Sequence, residues 1–304
     1  LIVLVLDLGK PDRLIVAMTT YNFKSIFSWN IFLYSGFAVV LAAYIWTMLD
    51  REVNRFSKYM GTFAFGWRII LTTGTGSIFG FLVAREAYAT AILAPLFIVM
   101  SLLYGTAVYF LILKTISKFH KTYISDEVLI NLRRLTIMFL FANLYFLFLY
   151  HITNMYIAKH LEYEIFILLE GGIYTMAFWF GQLFVGIIIP IFLINSSKIC
   201  KELSLIISSI LILVGSFVAM YVIIIGGQAY PLTIFPDHVI VQSTFYDNVV
   251  HSYMPSLYEL GLGLGGVALA LIIVLIGIAN FKFLPTIIKS TKKTTEDKQD
   301  NNTI

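Results

Sequence analysis

Within one apolar stretch of this 304-residue chain, Asn143, Leu147, Tyr150, His151 and Asn154 fall at helical spacing, so four polar side chains share one helix face. A histidine ordinarily titrates near about 6.5, which suits His151 to a proton relay or, beside Tyr150, to a hydrogen bond with a quinone carbonyl. The competing reading is a histidine satisfied by a neighbouring helix. Arg68, in Phe65-Gly-Trp-Arg-Ile-Ile70, lies several residues inside another apolar stretch. A charge at the centre of a membrane helix costs about 2.5–3.5 kcal/mol, so Arg68 either snorkels back to the surface or lines a water file. Arg68, His151 and Asn154 are thus the candidates for a proton pathway. Asp7 and Arg13 flank Gly9 and Pro11, which end a helix at the membrane surface. The two pair, or Arg13 caps freed carbonyls, or both form a charged wall beside a headgroup-level pocket. Glu259 opens the last apolar segment, where the helix dipole favours a carboxylate. Glu170, Asp237, His238, Asp247 and His251 lie on the same side without metal-ligand spacing, so no metal is expected and no catalytic residue is assigned.

Seven apolar segments supply the elements that must position these groups: 28–49, 61–84, 88–113, 135–157, 172–195, 203–226 and 257–280. Each reaches the roughly 20 residues that cross a bilayer. The chain is 59% hydrophobic and 12% charged, with mean hydropathy +0.88, whereas soluble domains carry about 25% charged residues. The expected fold is an all-α, polytopic membrane bundle forming one domain over 1–280. A long loop at 227–256 and a polar tail at 281–304 complete it. Leu1–Leu6 is apolar but too short to span; it reads as the end of an earlier helix, with the N-terminus incomplete. Of the 21 Lys and Arg, fifteen fall in 50–60, 114–134, 196–202 and the tail. Five fall in 1–27, 85–87 and 158–171, which alternate with the first set. The positive-inside rule places the richer face, with the C-terminus, in the cytoplasm.

His151 is the only histidine inside a span, and a transmembrane b-type haem needs two axial ligands on facing helices, so no haem is expected. The single cysteine, Cys200, excludes a cysteine-ligated iron–sulfur cluster in this chain and a C-x-x-C-H haem site. Any redox role uses something bound rather than something carried. The net charge of +4 gives no ground for a nucleic-acid partner. The stretch 117–133 is expected to hold a short interfacial helix with Ser125 as N-cap and Asp126 and Glu127 in its first turn. The run Thr72–Gly80 lets helices approach closely, or makes room for a flat ring. Trp29, Trp46, Trp67 and Trp179 lie near span ends, as interfacial anchors or packing.

Three functions fit these residues: a quinone-reactive subunit, a transporter or channel using a helix break at Gly74, Gly76 and Gly80, and a passive anchor for a redox partner. A light-driven pump is excluded, because the last span has no lysine for a retinal Schiff base.

Several strings taken in order narrow this choice. They are DLGKPDR (7–13), Ser28-Trp29, GSIFG (76–80), Ala94-Pro-Leu-Phe97 with Tyr104-Gly-Thr-Ala107, GGIYTMAFWFGQLFVGIIIPIFL (171–193), GGQAYPL (226–232) and YMPSLYELGLGLGGVALAL (253–271). Together they resemble the polysulfide-reductase membrane-subunit family, also called NrfD/PsrC-like, in its long-loop Dsr/Hmc/Hyb-type branch. The resemblance implies two four-helix bundles in the cytoplasmic membrane of a prokaryote. It implies electron exchange between a menaquinone or ubiquinone pool and an extracytoplasmic, ferredoxin-like iron–sulfur subunit, with further catalytic or cytochrome subunits; coupling to proton translocation stays open. Asp7 and Arg13 match the family's acidic-Gly-basic motif, and Tyr253, Pro255, Ser256 and Glu259 its late motif. With Tyr150 and His151, Asp7, Arg13 and Glu259 make the candidate quinone set. The chain departs from the pattern at Gln182, where relatives are expected to carry an acid, and at Thr72 and Thr73, where many have a histidine.

Overall fold

The computed structural model describes residues 6, 10, 13–119, 124–196, 200–231, 250 and 253–280. Asp7, Asp237, His238, Asp247, His251 and the tail lie outside the described residues. Every described element is helical. They are α1 (Leu14–Thr19), α2 (Ile26–Leu49), α3 (Ser57–Gly80), α4 (Leu93–Phe119), α5 (Asp126–Tyr156), α6 (Ala158–Ile165), α7 (Ile173–Asn195), α8 (Lys201–Ala229) and α9 (Leu257–Asn280). Described residues within 12–113 and 126–254 form one unit; those within 1–11, 114–125 and 255–304 form another.

Six of these helices, α2, α4, α5, α7, α8 and α9, are long and apolar enough to cross a membrane. The seventh expected span corresponds to α3. Its 24 residues reach about 36 Å, but Arg68 and the Thr72–Ser77 run lower its hydropathy, so it is not one of the six. Two expected connections differ. Among the described residues of 117–133 no separate interfacial helix stands: α4 continues to Phe119 and α5 begins at Asp126, with Asp126 and Glu127 in its first turn. The connection 158–171 instead folds into α6 followed by a π-helical turn, Phe166–Glu170. It is too short and polar to register as a span, yet it buries His160, Tyr163 and Glu164.

Buried residues run in single stripes. On α5 they are Leu129, Leu132, Thr136, Leu140, Asn143, Leu147, Tyr150, His151 and Asn154, so its polar groups lie on the inward face. On α4 they include Leu93, Leu96, Met100, Leu103, Ala107 and Phe110. Small residues set the closest approaches, as they do where lipid leaves no hydrophobic drive between helices. A Cβ on Gly76 would stand 2.7 Å from Ala94 Cα, and one on Gly74 would stand 3.0 Å from Asn30 Oδ1. The small-residue run is therefore filled by neighbours, and α3 passes through it unbroken. The tightest crossing joins α7 to α8, where a Cβ on Gly186 would lie 2.9 Å from Gly215 Cα and one on Gly215 would overlap Gly186 Cα. Gly66, on α3, has nothing within 4 Å of such a Cβ.

Two mutations test this packing. Gly215→Val should destabilise the protein by about 1–3 kcal/mol through overpacking. Gly66→Ala should stabilise it by about 0.5–1 kcal/mol through helix propensity. Thermal unfolding in detergent reads both; equal shifts would mean that the Gly186–Gly215 crossing is not a close contact.

Candidate functional site

At its end, α5 reverses. Ile157 is extended, with ψ 109, and the His160 amide donates to the Ile157 carbonyl at 2.8 Å, so α6 folds back on α5. The reversal carries Glu164 to the last two turns of α5. Glu164 Oε2 lies 2.7 Å from His151 Nδ1, and Oε1 accepts from Asn154 Nδ2 at 2.8 Å. Glu164 and Asn154 are 0% exposed. Oε1 is thus an acceptor, and one proton must lie between His151 Nδ1 and Oε2. The His151 ring meets Phe178 edge-on at 4.7 Å and Tyr150 at 5.0 Å.

The connection between α3 and α4 closes the other side. Tyr150 donates to the Ala87 carbonyl at 2.7 Å. Two residues later Ala89 has φ 61, a left-handed conformation that strains a residue with a Cβ. Tyr88 donates to the carbonyls of Ile223 and Ile224, at 3.0 and 3.2 Å. These belong to a π-helical turn of α8, Tyr221–Gly226, whose Ile224 carbonyl also accepts the Gly227 amide. Burial pushes Tyr88 up to about 12, with Arg85 opposing, so it stays a donor at neutral pH. Arg85 Nη1 donates to Gln228 O at 2.8 Å, and Lys159 Nζ to Val83 O at 3.2 Å. Three connections are therefore laced together at this end. At the other end Arg133 Nη2 donates to the Ile194 carbonyl in the last turn of α7.

Two spaces flank α6. An internal cavity of about 10 Å³ is lined by Tyr150, His151, Tyr163, Phe178, Gln182 and apolar residues of α4, α5, α8 and the π turn after α6. It has room for about one water and none for a quinone ring. Gln182 reaches it from a π-helical stretch of α7, Ala177–Ile188, and its buried Oε1 has no hydrogen-bond partner among the described residues. On the opposite side of α6 lies an open groove of about 670 Å³, walled by Glu162, Ile165, Phe166, Glu170, Tyr230 and Pro231. Its Gly171–Gly172 corner requires glycine: Gly172 has φ 57, and a Cβ on Gly171 would sit 2.6 Å from Phe166 O. Tyr230 donates to Glu162 Oε2 at 3.4 Å and packs against Phe166 at 5.3 Å and Tyr163 at 5.7 Å. Burial and then the Glu86 and Glu162 carboxylates push Tyr230 up to about 12.

The sequence candidates separate accordingly. Tyr150, His151 and Asn154 converge on Glu164. Arg68 is exposed on α3 with its guanidinium 5.6 Å from the Phe37 ring centroid, away from that cluster. Arg13 is exposed at the start of α1. Glu259 Oε2 accepts from the Ser256 amide at 2.8 Å while Ser256 Oγ accepts from the Glu259 amide at 3.3 Å, a reciprocal cap on α9. Tyr253 and Pro255 are exposed just before it. Glu164, Gln182 and Tyr230 were not singled out as site residues. Glu164 left no apolar periodicity to read, because the residues that α6 buries, His160, Tyr163 and Glu164, are themselves polar or amphipathic.

The sequence pattern of the family described as "Polysulphide reductase, NrfD" matches residues 1–231. The chain is 28% identical over 283 residues to the Hdr-like menaquinol oxidoreductase integral membrane subunit of Archaeoglobus fulgidus, covering 92% of this chain and 71% of that one. It is 22% identical over 313 residues to a selenate reductase subunit of Mesobacillus selenatarsenatis, covering 90% and 71%. The string at 253–271 lies beyond the residues that the family pattern matches.

Tyr88→Phe should cost about 1–3 kcal/mol, because the buried hydrogen bond to the Ile223 carbonyl and its companion to Ile224 are lost; an unchanged unfolding temperature would refute that role. His160, held below its ordinary 6.5 first by burial and then by Lys159, with Glu164 opposing, adds a pH dependence. The unfolded chain binds its proton first, so stability falls as pH drops below 6.5 towards the lower folded value. In His160→Gln that part of the loss should vanish from pH-dependent unfolding curves.

Proposed function

Since the chain belongs to the polysulphide reductase NrfD family, we propose that it is the quinone-reactive membrane subunit of a multi-subunit oxidoreductase. The observation that carries the site is the 670 Å³ groove whose aromatic floor backs onto the buried Glu164–His151 pair. Its volume falls in the range of small-molecule pockets, about 300–1,000 Å³, and its walls combine apolar surface with few polar groups. In this reading Tyr230 donates to a quinone carbonyl, Glu162 accepts from a quinol hydroxyl, and Ile165, Phe166 and Pro231 hold the ring. The name of the Archaeoglobus relative supports menaquinol as the quinol class.

In the same reading the groove end faces away from the cytoplasm, in agreement with the distribution of Lys and Arg, and the C-terminus is cytoplasmic. α3 is a seventh span, tolerated because its small-residue face packs on α2 and α4. Electrons pass to or from an iron–sulfur subunit docked at the groove end, and the membrane is the cytoplasmic membrane of a prokaryote. Asp7 and Arg13 stay in the quinone set on their motif alone. Glu259, engaged by the Ser256 amide, caps α9 and is left out of that set. A transporter built on a broken α3 loses its premise, because that helix is continuous.

Tyr230→Phe and Glu162→Gln, each assayed in the purified complex with a water-soluble menaquinol analogue, should raise KM about tenfold, the equivalent of one lost hydrogen bond of about 1.4 kcal/mol. Wild-type KM in both would place the quinone elsewhere.

A further inference from the structure

We propose that Glu164 and His151, with one ordered water held between His151 and Gln182, form a proton-holding site inside the bundle, loaded when quinol is oxidised in the groove. The proposal rests on the quinone reading for its proton source, but the site itself stands on geometry.

Three observations carry it. First, His151 Nδ1 is committed to Glu164 at 2.7 Å, and Asn154 fixes the other carboxylate oxygen at 2.8 Å. With the proton on Nδ1, Nε2 is a bare acceptor, and it makes no hydrogen bond among the described residues. A carboxylate that holds one imidazole nitrogen sets the tautomer and the ring orientation, which leaves the other nitrogen to exchange a proton. Second, the cavity that His151 lines accommodates about one water, and Gln182 lines it too. The Gln182 Oε1 is buried and without a partner among the described residues, and a buried acceptor of that kind is ordinarily satisfied by water. Third, Tyr163 connects the two spaces: its ring lines the cavity and meets Tyr230 of the groove at 5.7 Å.

The chemistry balances. Oxidation of the quinol breaks two O–H bonds and sends two electrons to the iron–sulfur class of partner. One proton leaves to water at the open mouth of the groove. The other forms an N–H bond at His151 Nε2 through the cavity water, giving an imidazolium beside the Glu164 carboxylate. The pair then gains the favourable charge pairing that a buried, fully hydrogen-bonded ion pair requires. Glu164 is a positioning residue, because it acts through His151. Titratable groups that face the pair are Tyr150 on α5, His160 and Tyr163 on α6, and Tyr88 on the α3–α4 connection. Phe178 and Gln182 of α7, and Val222 and Ile223 of α8, face the cavity without adding one.

The test is pH-difference infrared spectroscopy on the purified complex in normal and 18O-labelled water, with steady-state kinetics alongside. Wild type should show an imidazole protonation change together with a weakly hydrogen-bonded water band that shifts with the label. Gln182→Leu should lose the water band. Glu164→Gln should lose the protonation change, lower kcat about 100-fold with KM unchanged, and displace the pH–rate profile. A wild-type spectrum with no labelled water band, or a Gln182→Leu spectrum identical to wild type, overturns the proposal. Should Glu164→Gln not assemble, the wild-type and Gln182→Leu spectra still decide. A complex that shows these bands but turns over no quinol would sink the quinone reading and leave the proton site standing.

Discussion

A carboxylate with no exposure to solvent, in a chain built of membrane-length helices, is the constraint around which the surrounding structure is arranged. Glu164 needs two donors close by, and the inward polar stripe of α5 offers them. Removing one partner from a buried charged pair costs about 3–5 kcal/mol, so the reversal at Ile157 must hold its register. It does so through the His160 amide on the Ile157 carbonyl. Lys159 and Arg85 then fasten the connections on either side of the reversal.

The π-helical stretches serve the same constraint. A π turn rotates the residues beyond it relative to those before it, so a helix can present a side chain to a place that a regular ladder would miss. In α7 the stretch Ala177–Ile188 turns Gln182 towards the cavity while Gly186 still meets Gly215. In α8 the stretch Tyr221–Gly226 presents the carbonyls to which Tyr88 donates, and this anchors the α3–α4 connection whose Ala87 carbonyl receives Tyr150. The left-handed backbone at Ala89 is tolerated where both flanks are fastened in this way.

Much of this was legible in the sequence. Apolar length placed the long helices to within a few residues at most ends, the 3.6-residue spacing placed Asn143, Tyr150, His151 and Asn154 on one face, and the small residues of α3 marked close approaches. Helix dipole reasoning placed Glu259 at the start of α9, where it closes a cap with Ser256. The partner of His151 was not legible, because α6 is a short segment of mixed polarity, and hydropathy sees such a segment as a loop. Gln182 was noticed only as a departure from a family pattern, since a π stretch breaks the period from which inward faces are read. Arg68 shows the converse limit: depth within a span can be counted from sequence, but the rotational setting of α3 cannot, and in the structure Arg68 is exposed beside Phe37.

The short helix α6 joins the two spaces without opening one into the other. Residues two apart on a helix point to different sides, so Glu162 faces the groove while Glu164 faces the interior. The groove can therefore stay open to bulk water while the imidazole–carboxylate pair, with room for about one water beside it, stays shielded from bulk solvent, where its electrostatics are strongest. The two environments are nevertheless mechanically one. The same short helix forms a wall of each, and the Gly171–Gly172 corner that shapes the groove also fixes where α7 starts, and with it the position of Gln182. A side chain that altered that corner would be felt at the buried pair without touching it, which is the structural sense in which groove and interior form a single site.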